Sequence, residues 1–385
     1  VASVKFIHTS DFQLGMTRWF LSAEAQSRFD DDRLEAVQRL GELAQETGAE
    51  FIVVAGDVFE HNSLSRSTLL RAKEVFKHLP VPLYLLPGNH DPLVADSIFS
   101  RTEGIEGVHV LTDSRPVTVR EGVEIVGAPL KTKHAAEDLC ARAIADLEPT
   151  DAVRILVGHG PVEEFGEADR ASLIDVPLLD AAIDRGVIDY VALGDTHSTR
   201  QLSPSGKVWY SGSPETTDFH DLRPGVAGGE TDSGNALVVS VDKHTAPARV
   251  EVTPCPVGAW VFEELAWEVS GAEDVDAVLE QLTAYPNKER TVVRYSLTGT
   301  LGLDDTRRLE QGIADLEPIF AALYPHERYM NLHLEPGEEE LENLPLSGYA
   351  RDAMRELVDA VSGTDSDPAA RDAVNLLFRL SKESN

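Results

Sequence analysis

The chain has 385 residues, and 66 Asp and Glu against 34 Lys and Arg leave a formal net charge of −32. That balance excludes a protein that grips nucleic acid by its overall field, because phosphate neutralisation by Lys and Arg supplies most non-specific DNA affinity. Any DNA affinity is expected from bound cations, a local basic patch or a partner subunit; otherwise the acidic surface serves solubility.

Hydrophobic residues make up 42% of the chain, ordinary for a soluble globular protein, and no apolar run approaches the ~18 residues of a membrane span. The opening Val1-Ala-Ser-Val-Lys-Phe-Ile7 lacks a basic region and a small-residue cleavage site, so no signal peptide is expected. Cys140 and Cys255 are the only cysteines. Two distant thiols form neither a disulfide framework nor a zinc knuckle, which favours a reducing cytoplasm.

In chain order, residues 1–254 read as one α/β unit. Apolar runs at Val4–His8, Phe51–Ala55, Pro82–Leu86, Arg154–Val157 and Tyr190–Leu193 predict buried strands. Ser22–Thr47 carries Leu34, Val37, Leu40 and Ala44 at helical spacing, and Ser65–His78 is a second amphipathic stretch. From Asp189 to Asp242 the pattern changes to short alternating strands, Lys207–Ser211 and Ala236–Asp242, as in a second sheet. Arg223–Asn235 between them is a loop by composition. Val252–Gly258, with two prolines, reads as a domain boundary.

A βαβα module follows at 257–335: strand Trp260–Val269, helix Val275–Leu282, strand Thr291–Thr298, helix Asp304–Leu316. An acidic turn from Glu335 precedes a helical segment at 345–385, with helices expected at Ser347–Val361 and Asp367–Lys382. The last puts Ala373, Leu376, Leu377 and Leu380 on an apolar stripe, either free to meet a partner or packed on the neighbouring helix.

The polar motifs come just after the expected strands. Asp11-Phe-Gln13 puts a carboxylate and a second oxygen ligand two residues apart, although this pattern commonly just caps a turn. Gly56-Asp57 joins a sharp turn to a carboxylate able to bridge two cations or to cap a helix. Gly88-Asn89-His90-Asp91 offers a neutral oxygen ligand beside an imidazole suited to proton donation or charge stabilisation. Gly158-His159 and Gly194-Asp195-Thr196-His197 complete the set. A lone His after a strand is usually structural, but two of them with three upstream acid or amide positions favour a metal site.

These motifs resemble those of the calcineurin-like metallophosphoesterases. The wider pattern, Ile7–Gly15, Gly56–Phe59, Gly88–Asp91 and Tyr190–His197 followed by Tyr210-Ser-Gly-Ser-Pro214, is similar to the SbcD-type DNA-repair nucleases over residues 4–254. The resemblance implies an α/β fold: a two-sheet sandwich flanked by helices, with a small α/β capping domain at 257–335 and a C-terminal helical tail. It implies one metal held by Asp11, Gln13, Asp57 and His197 and another by Asp57, Asn89, His159 and Asp195. Hydroxide would attack phosphorus in line, and His90 would assist the leaving group. It further implies a cytoplasmic DNA-repair exonuclease and endonuclease working with an SbcC-type coiled-coil ATPase, with no membrane, and it allows a homodimer.

Two positions depart from the family pattern. Gln13 stands where the family usually has His, and Asp195 where it has the first His of Gly-His-x-His. Both changes replace nitrogen by oxygen, which shifts preference toward manganese or magnesium and away from zinc or iron. Hydrolysis of small nucleotides or other phosphate esters, and a non-catalytic scaffold with a degenerate metal site, are the competing readings. His8, His61, His78, His134 and His220 carry no role at this level.

Overall fold

A computed structural model describes residues 2–162, 170–223, 229–244, 247–334, 346, 348–361, 369, 370, 373, 374, 376, 377 and 380. The chain forms two units. The first comprises Val1–Trp19, Gln26–Asp218 and Glu230–Trp260, and the second Phe20–Ala25, Phe219–Gly229 and Val261–Asn385.

Two mixed sheets build the first unit. One has the order β13 (Arg249–Pro256), β12 (Asn235–Asp242), β1 (Ser3–Thr9), β2 (Ile52–Val54), β3 (Leu83–Leu85) and β4 (Val108–Val110). The other runs β5 (Val117–Arg120), β6 (Val123–Gly127), β7 (Val153–His159), β8 (Tyr190–Gly194), β10 (Val208–Tyr210) and β9 (Arg200–Gln201). In each sheet four neighbouring strands are parallel, β1–β4 and β6, β7, β8, β10.

Alternation along the strands decides the layers. Phe6, Phe51, Val53 and Tyr84 of the first sheet meet Ile125, Ile155, Val157 and Tyr190 of the second in one apolar layer. The other face of the first sheet, with Ile7, Ile52, Val54 and Leu85, is covered by α1 (Ala23–Thr47) and α2 (Arg66–Lys77) through Leu34, Val37, Leu40, Ala44, Ala72 and Phe76. The Ser65 hydroxyl caps α2 by accepting from Thr68 N at 3.1 Å, which satisfies one otherwise orphaned amide. Helices α3 (Leu139–Ile144) and α4 (Val176–Asp184) cover the outer face of the second sheet. The result is a helix–sheet–sheet–helix sandwich.

Three details differ from the sequence expectation. Lys207–Ser211 and Ala236–Asp242 do not share a sheet. β10 lengthens the second sheet beside β8, whereas β12 pairs antiparallel with β1 in the first. β12 has apolar residues on both faces, Leu237, Val239 and Val241 toward the inter-sheet layer and Ala236 and Val238 toward the helices, so it suits an interior strand. Much of Val252–Gly258 is strand: Pro254 and Pro256 lie opposite Leu237 and Asn235 in β13, an edge strand, where a missing N–H removes no needed ladder bond. β4 and β5 alternate, but at three and four partly exposed residues they are too short to stand out in the sequence.

In the second unit, β11 (His220–Asp221), β14 (Val261–Val269), β15 (Thr291–Leu301) and β16 (Ala322–Pro325) form a parallel sheet, with β17 (Asn331–Leu334) also beside β15. Helices α5 (Ala272–Ala284) and α6 (Leu303–Leu316) bury Val275, Val278, Leu282, Leu309 and Ile313 against Leu265, Val293 and Leu297. α7 (Tyr349–Val361) shares a small core, Leu334, Met354, Val358, Ala370 and Val374, with the last segment. In that segment Ala370, Val374 and Leu377 face the core, while Leu376 and Leu380 of the expected stripe are about half exposed. The acidic turn at 335–340, Ser347 and parts of the last expected helix lie outside the described residues. No described helix is long and apolar enough to cross a membrane.

Candidate metal centre

Every expected site residue lies just beyond the carboxyl end of a parallel strand: Asp11 and Gln13 after β1, Asp57 after β2, Asn89 and His90 after β3, His159 at the end of β7, Asp195 and His197 after β8. Parallel strands put these ends on one edge of each sheet, where α/β folds bind their ligands. The loops are laced together. Asp11 N donates to Gly56 O at 3.0 Å, and Gln13 N to Asp57 O at 2.9 Å.

The backbone here is strained. Among the described residues the non-glycine residues with positive φ are Asp11 (53°), Gln13 (42°), Asp57 (53°) and Asp195 (107°). Such conformations cost about 1–3 kcal/mol each and persist where surrounding bonds over-determine them. Gly56 and Gly88 are steric necessities. A Cβ on Gly56 would sit 2.1 Å from His159 Nδ1, and one on Gly88 would sit 2.1 Å from Asp57 Oδ1.

The deeper half gathers Asp57, Asn89 and His159. Asp11, Asp57 and His159 are all buried, with ligand atoms within 4.8 Å of one another. His159 Nδ1 donates to Ala55 O at 2.8 Å, which turns Nε2 into the site. That nitrogen faces Asn89 Oδ1 at 2.7 Å, Asp57 Oδ2 at 3.4 Å and Asp195 Oδ1 at 3.7 Å. Turning the Asn89 amide over would let its NH2 donate to His159 Nε2 at 2.7 Å and Asp57 Oδ2 at 3.1 Å. A cation favours the carbonyl inward; without one the amide hydrogens serve.

The electrostatics ask for positive charge. Burial opposes a charged His159, yet Asp57, Asp11 and Asp195 outweigh it and hold its pKa well above that of free imidazole. Burial alone would raise Asp57, but the charge and hydrogen bond of His159 hold it below the usual carboxylate range. Asp11 and Asp195 are pushed up chiefly by burial.

In the outer half, His197 Nδ1 faces Glu230 Oε1 at 2.8 Å and the Thr217 hydroxyl at 2.5 Å. Its Nε2 lies 3.2 Å from Gln13 Nε2 and 4.0 Å from Asp11 Oδ1. Burial disfavours the His197 cation, but Glu230 and Asp11 raise its pKa; reciprocally, Glu230 is held low by His197 against its own burial. Gln13 Oε1 is buried without a hydrogen-bond partner.

His90 stands at the rim. Its N–H donates to Asp57 Oδ1 at 3.0 Å, its Nδ1 donates to Glu60 O at 3.1 Å, and its Nε2 is left 3.9 Å from Asp57 Oδ2. The eight expected residues are thus linked by an unbroken set of close approaches. His8, by contrast, is a floor residue: Nε2 donates to Leu193 O at 3.1 Å and Nδ1 accepts from Tyr190 at 3.0 Å, and burial lowers its pKa to about 3. His61 is exposed, and His220 belongs to β11 of the second unit.

Several supporting residues escaped the sequence reading. Glu230 orients His197 from a loop 33 positions away, and no spacing pattern marks it. Asp91 was visible inside its motif without a role. Its buried carboxylate accepts from Gly88 N at 2.8 Å and Phe59 N at 2.9 Å, tying two ligand loops together; burial and then Asp57 push its pKa up to about 7. Ser213 of the Ser-Gly-Ser-Pro element donates to Asp11 O at 2.8 Å, which gives that element a local task.

The donor set fits divalent cations. Carboxylate, amide and imidazole groups converge, one amide oxygen is orphaned, and two imidazoles are driven toward positive charge. The model of the calcineurin-like phosphoesterases matches residues 4–199, just over half of the 385 residues. The chain belongs to the calcineurin-like phosphoesterases. Membership makes it a hydrolase of a family built on a binuclear divalent metal centre, and the two-sheet α/β sandwich is that family's fold.

Within this family the chain is similar to the DNA double-strand break repair protein Mre11 of Archaeoglobus fulgidus, 27% identical over 57% of this chain and 52% of that one. It is similar to one component of the nuclease SbcCD of Escherichia coli, 25% identical over 57% of this chain and 62% of that one. It also aligns with the uncharacterized metallophosphoesterase YhaO of Bacillus subtilis, 23% identical over 84% of this chain and 87% of that one. The chain spans about half the length of the Mre11 proteins it matches.

Proposed function

We propose that this phosphoesterase is a manganese-dependent DNA nuclease that works with a coiled-coil ATPase in break repair. The observation that carries the reading is the constellation of Asp11, Gln13, Asp57, Asn89, His159, Asp195 and His197 at the strand ends, in a chain similar to Mre11 and to a component of the nuclease SbcCD. Asp57 lies between the two halves and would be shared by two cations. Asp11, Gln13 and His197 would complete one site, and Asn89, His159 and Asp195 the other. Bound divalent cations supply Lewis acidity and an activated water.

The protein groups do the rest. Glu60 O fixes the His90 tautomer, so Nε2 faces the cleft and, when protonated, donates to the departing oxygen. Ala55 and Glu230 fix the rings of His159 and His197 with Nε2 inward. Oxygen at Gln13 and Asp195 favours manganese or magnesium.

A second reading, hydrolysis of small phosphodiesters, is favoured by the net charge of −32, which opposes approach to a polyanion. Linear DNA, circular single strands and bis-p-nitrophenyl phosphate assayed side by side with manganese decide between them. Cleavage of linear DNA, with or without the circles, supports the nuclease. Turnover of the small ester alone sustains the second reading, and no turnover with metal bound marks a binding scaffold.

A further inference from the structure

One stretch of the acidic chain runs against its charge. Residues 128–136, Ala-Pro-Leu-Lys-Thr-Lys-His-Ala-Ala, contain no carboxylate and carry Lys131, Lys133 and His134. All three side chains are exposed. The segment follows β6, which is parallel to and hydrogen-bonded with β7, the strand that ends in His159. It therefore emerges at the edge that carries the metal centre.

Its placement is fixed by backbone bonds. Leu130 N donates to Pro87 O at 3.2 Å, and Leu93 N donates to Leu130 O at 2.9 Å. Those two contacts lie on either side of Gly88-Asn89-His90-Asp91. The lysines thus start one residue from an anchor bonded to both flanks of the His90 loop. The Thr132 hydroxyl closes a local turn on His134 O at 2.7 Å.

The charges there are also unspent. Glu137, just past the segment, is paired with Arg142, and Asp113 is paired with Arg115, whose hydrogen bonds hold its carboxyl low with a smaller contribution from Lys131. Among the described residues neither Lys131 nor Lys133 has an ion-pair partner, and both are exposed. Two ammonium groups outside any ion pair, in a chain of net charge −32, mark a place where a polyanion meets attraction.

We propose that residues 131–134 form a phosphate-contact loop, in which Lys131 and Lys133 hold the phosphodiester backbone of a polynucleotide on the His90 side of the reaction centre. The proposal rests on the nuclease reading and adds to it the surface that the substrate strand follows. Phosphate contact by lysine is sequence-independent and salt-sensitive, and a small ester is too short to reach it.

The test uses the full chain with manganese and compares wild type with Lys131→Glu/Lys133→Glu and with Lys131→Gln/Lys133→Gln. Turnover of bis-p-nitrophenyl phosphate should be unchanged in both. On a single-stranded oligonucleotide, kcat/KM should fall about tenfold or more for the Glu pair and less for the Gln pair, mainly through KM. The slope of log kcat/KM against log salt should become shallower by about 1–2. Unchanged oligonucleotide cleavage and salt slope would overturn the loop assignment while leaving the nuclease reading intact. Equal loss on both substrates also overturns it, since that marks local damage. Failure of the wild type to cleave any polynucleotide sinks the nuclease reading, and the loop proposal with it.

Discussion

The two halves of the metal centre are built from the same strand-end logic but end in different electrostatic states. In the half around Asp57, Asn89 and His159, carboxylates draw positive charge: His159 donates from Nδ1 to Ala55 O and turns Nε2 toward the Asn89 amide and the carboxylates of Asp57 and Asp195. In the half around Gln13 and His197, hydrogen bonds already satisfy the ring. Glu230 holds Nδ1 and the Gln13 amide nitrogen sits 3.2 Å from Nε2. The first half draws a positive charge onto His159, and the second lacks a partner for Gln13 Oε1. A cation entering the first half takes over the positive charge that its carboxylates draw onto His159. One entering the second must first turn the Gln13 amide. Unequal metal affinities follow, with the Asp57–His159 half filled first.

The largest effect belongs to Asp57, the residue proposed to serve both cations. Asp57→Ala should remove retention of both metals and abolish phosphodiester turnover. Elemental analysis of the purified variant checks the first, and a bis-p-nitrophenyl phosphate assay the second. Retention of one full equivalent of metal would break the picture of a shared ligand. Next comes His90→Ala, which should leave metal content untouched and lower turnover roughly 10²-fold, the scale of a lost general acid. Wild-type turnover at saturating manganese would remove His90 from the reaction.

Glu230→Gln sharpens the comparison, because it acts on the outer half alone. It should weaken the second equivalent of manganese roughly 10- to 100-fold, the usual range for a group that orients a ligating imidazole, and leave the first equivalent in place. Calorimetric titration with manganese resolves the two steps. Equal weakening of both would show that Glu230 supports the fold and not one half.

The strands were legible where an apolar run ended in a polar turn, which is why β1, β2, β3, β7 and β8 could be placed from residues alone, whereas the ligand assignment came from the family resemblance. What stayed hidden depends on distance. Glu230 reaches His197 across 33 positions, and Ser213 reaches Asp11 across 202, and neither separation has a period. β13 was hidden by its prolines, which an edge strand tolerates and an interior strand does not. The strained backbone was invisible as well: Asp11, Gln13 and Asp57 adopt positive φ because interloop bonds such as Asp11 N to Gly56 O hold them there.

The smallest and most discriminating change is at Gln13. Its positive φ of 42° and its place beside His197 come from the backbone, so a new side chain inherits the position. Gln13→His places an imidazole where an amide now faces His197 Nε2. It adds a nitrogen ligand to a half otherwise rich in oxygen, which moves preference toward zinc. The variant should bind its second equivalent of zinc about tenfold more tightly than wild type, with the first equivalent unchanged. Gln13→Ala should shift the second equivalent the other way, since it removes the orphaned oxygen along with the nitrogen bonded to His197. If either substitution moves the first equivalent as much as the second, the two halves are one coupled site, and the contrast between a half that needs charge and a half already satisfied does not hold.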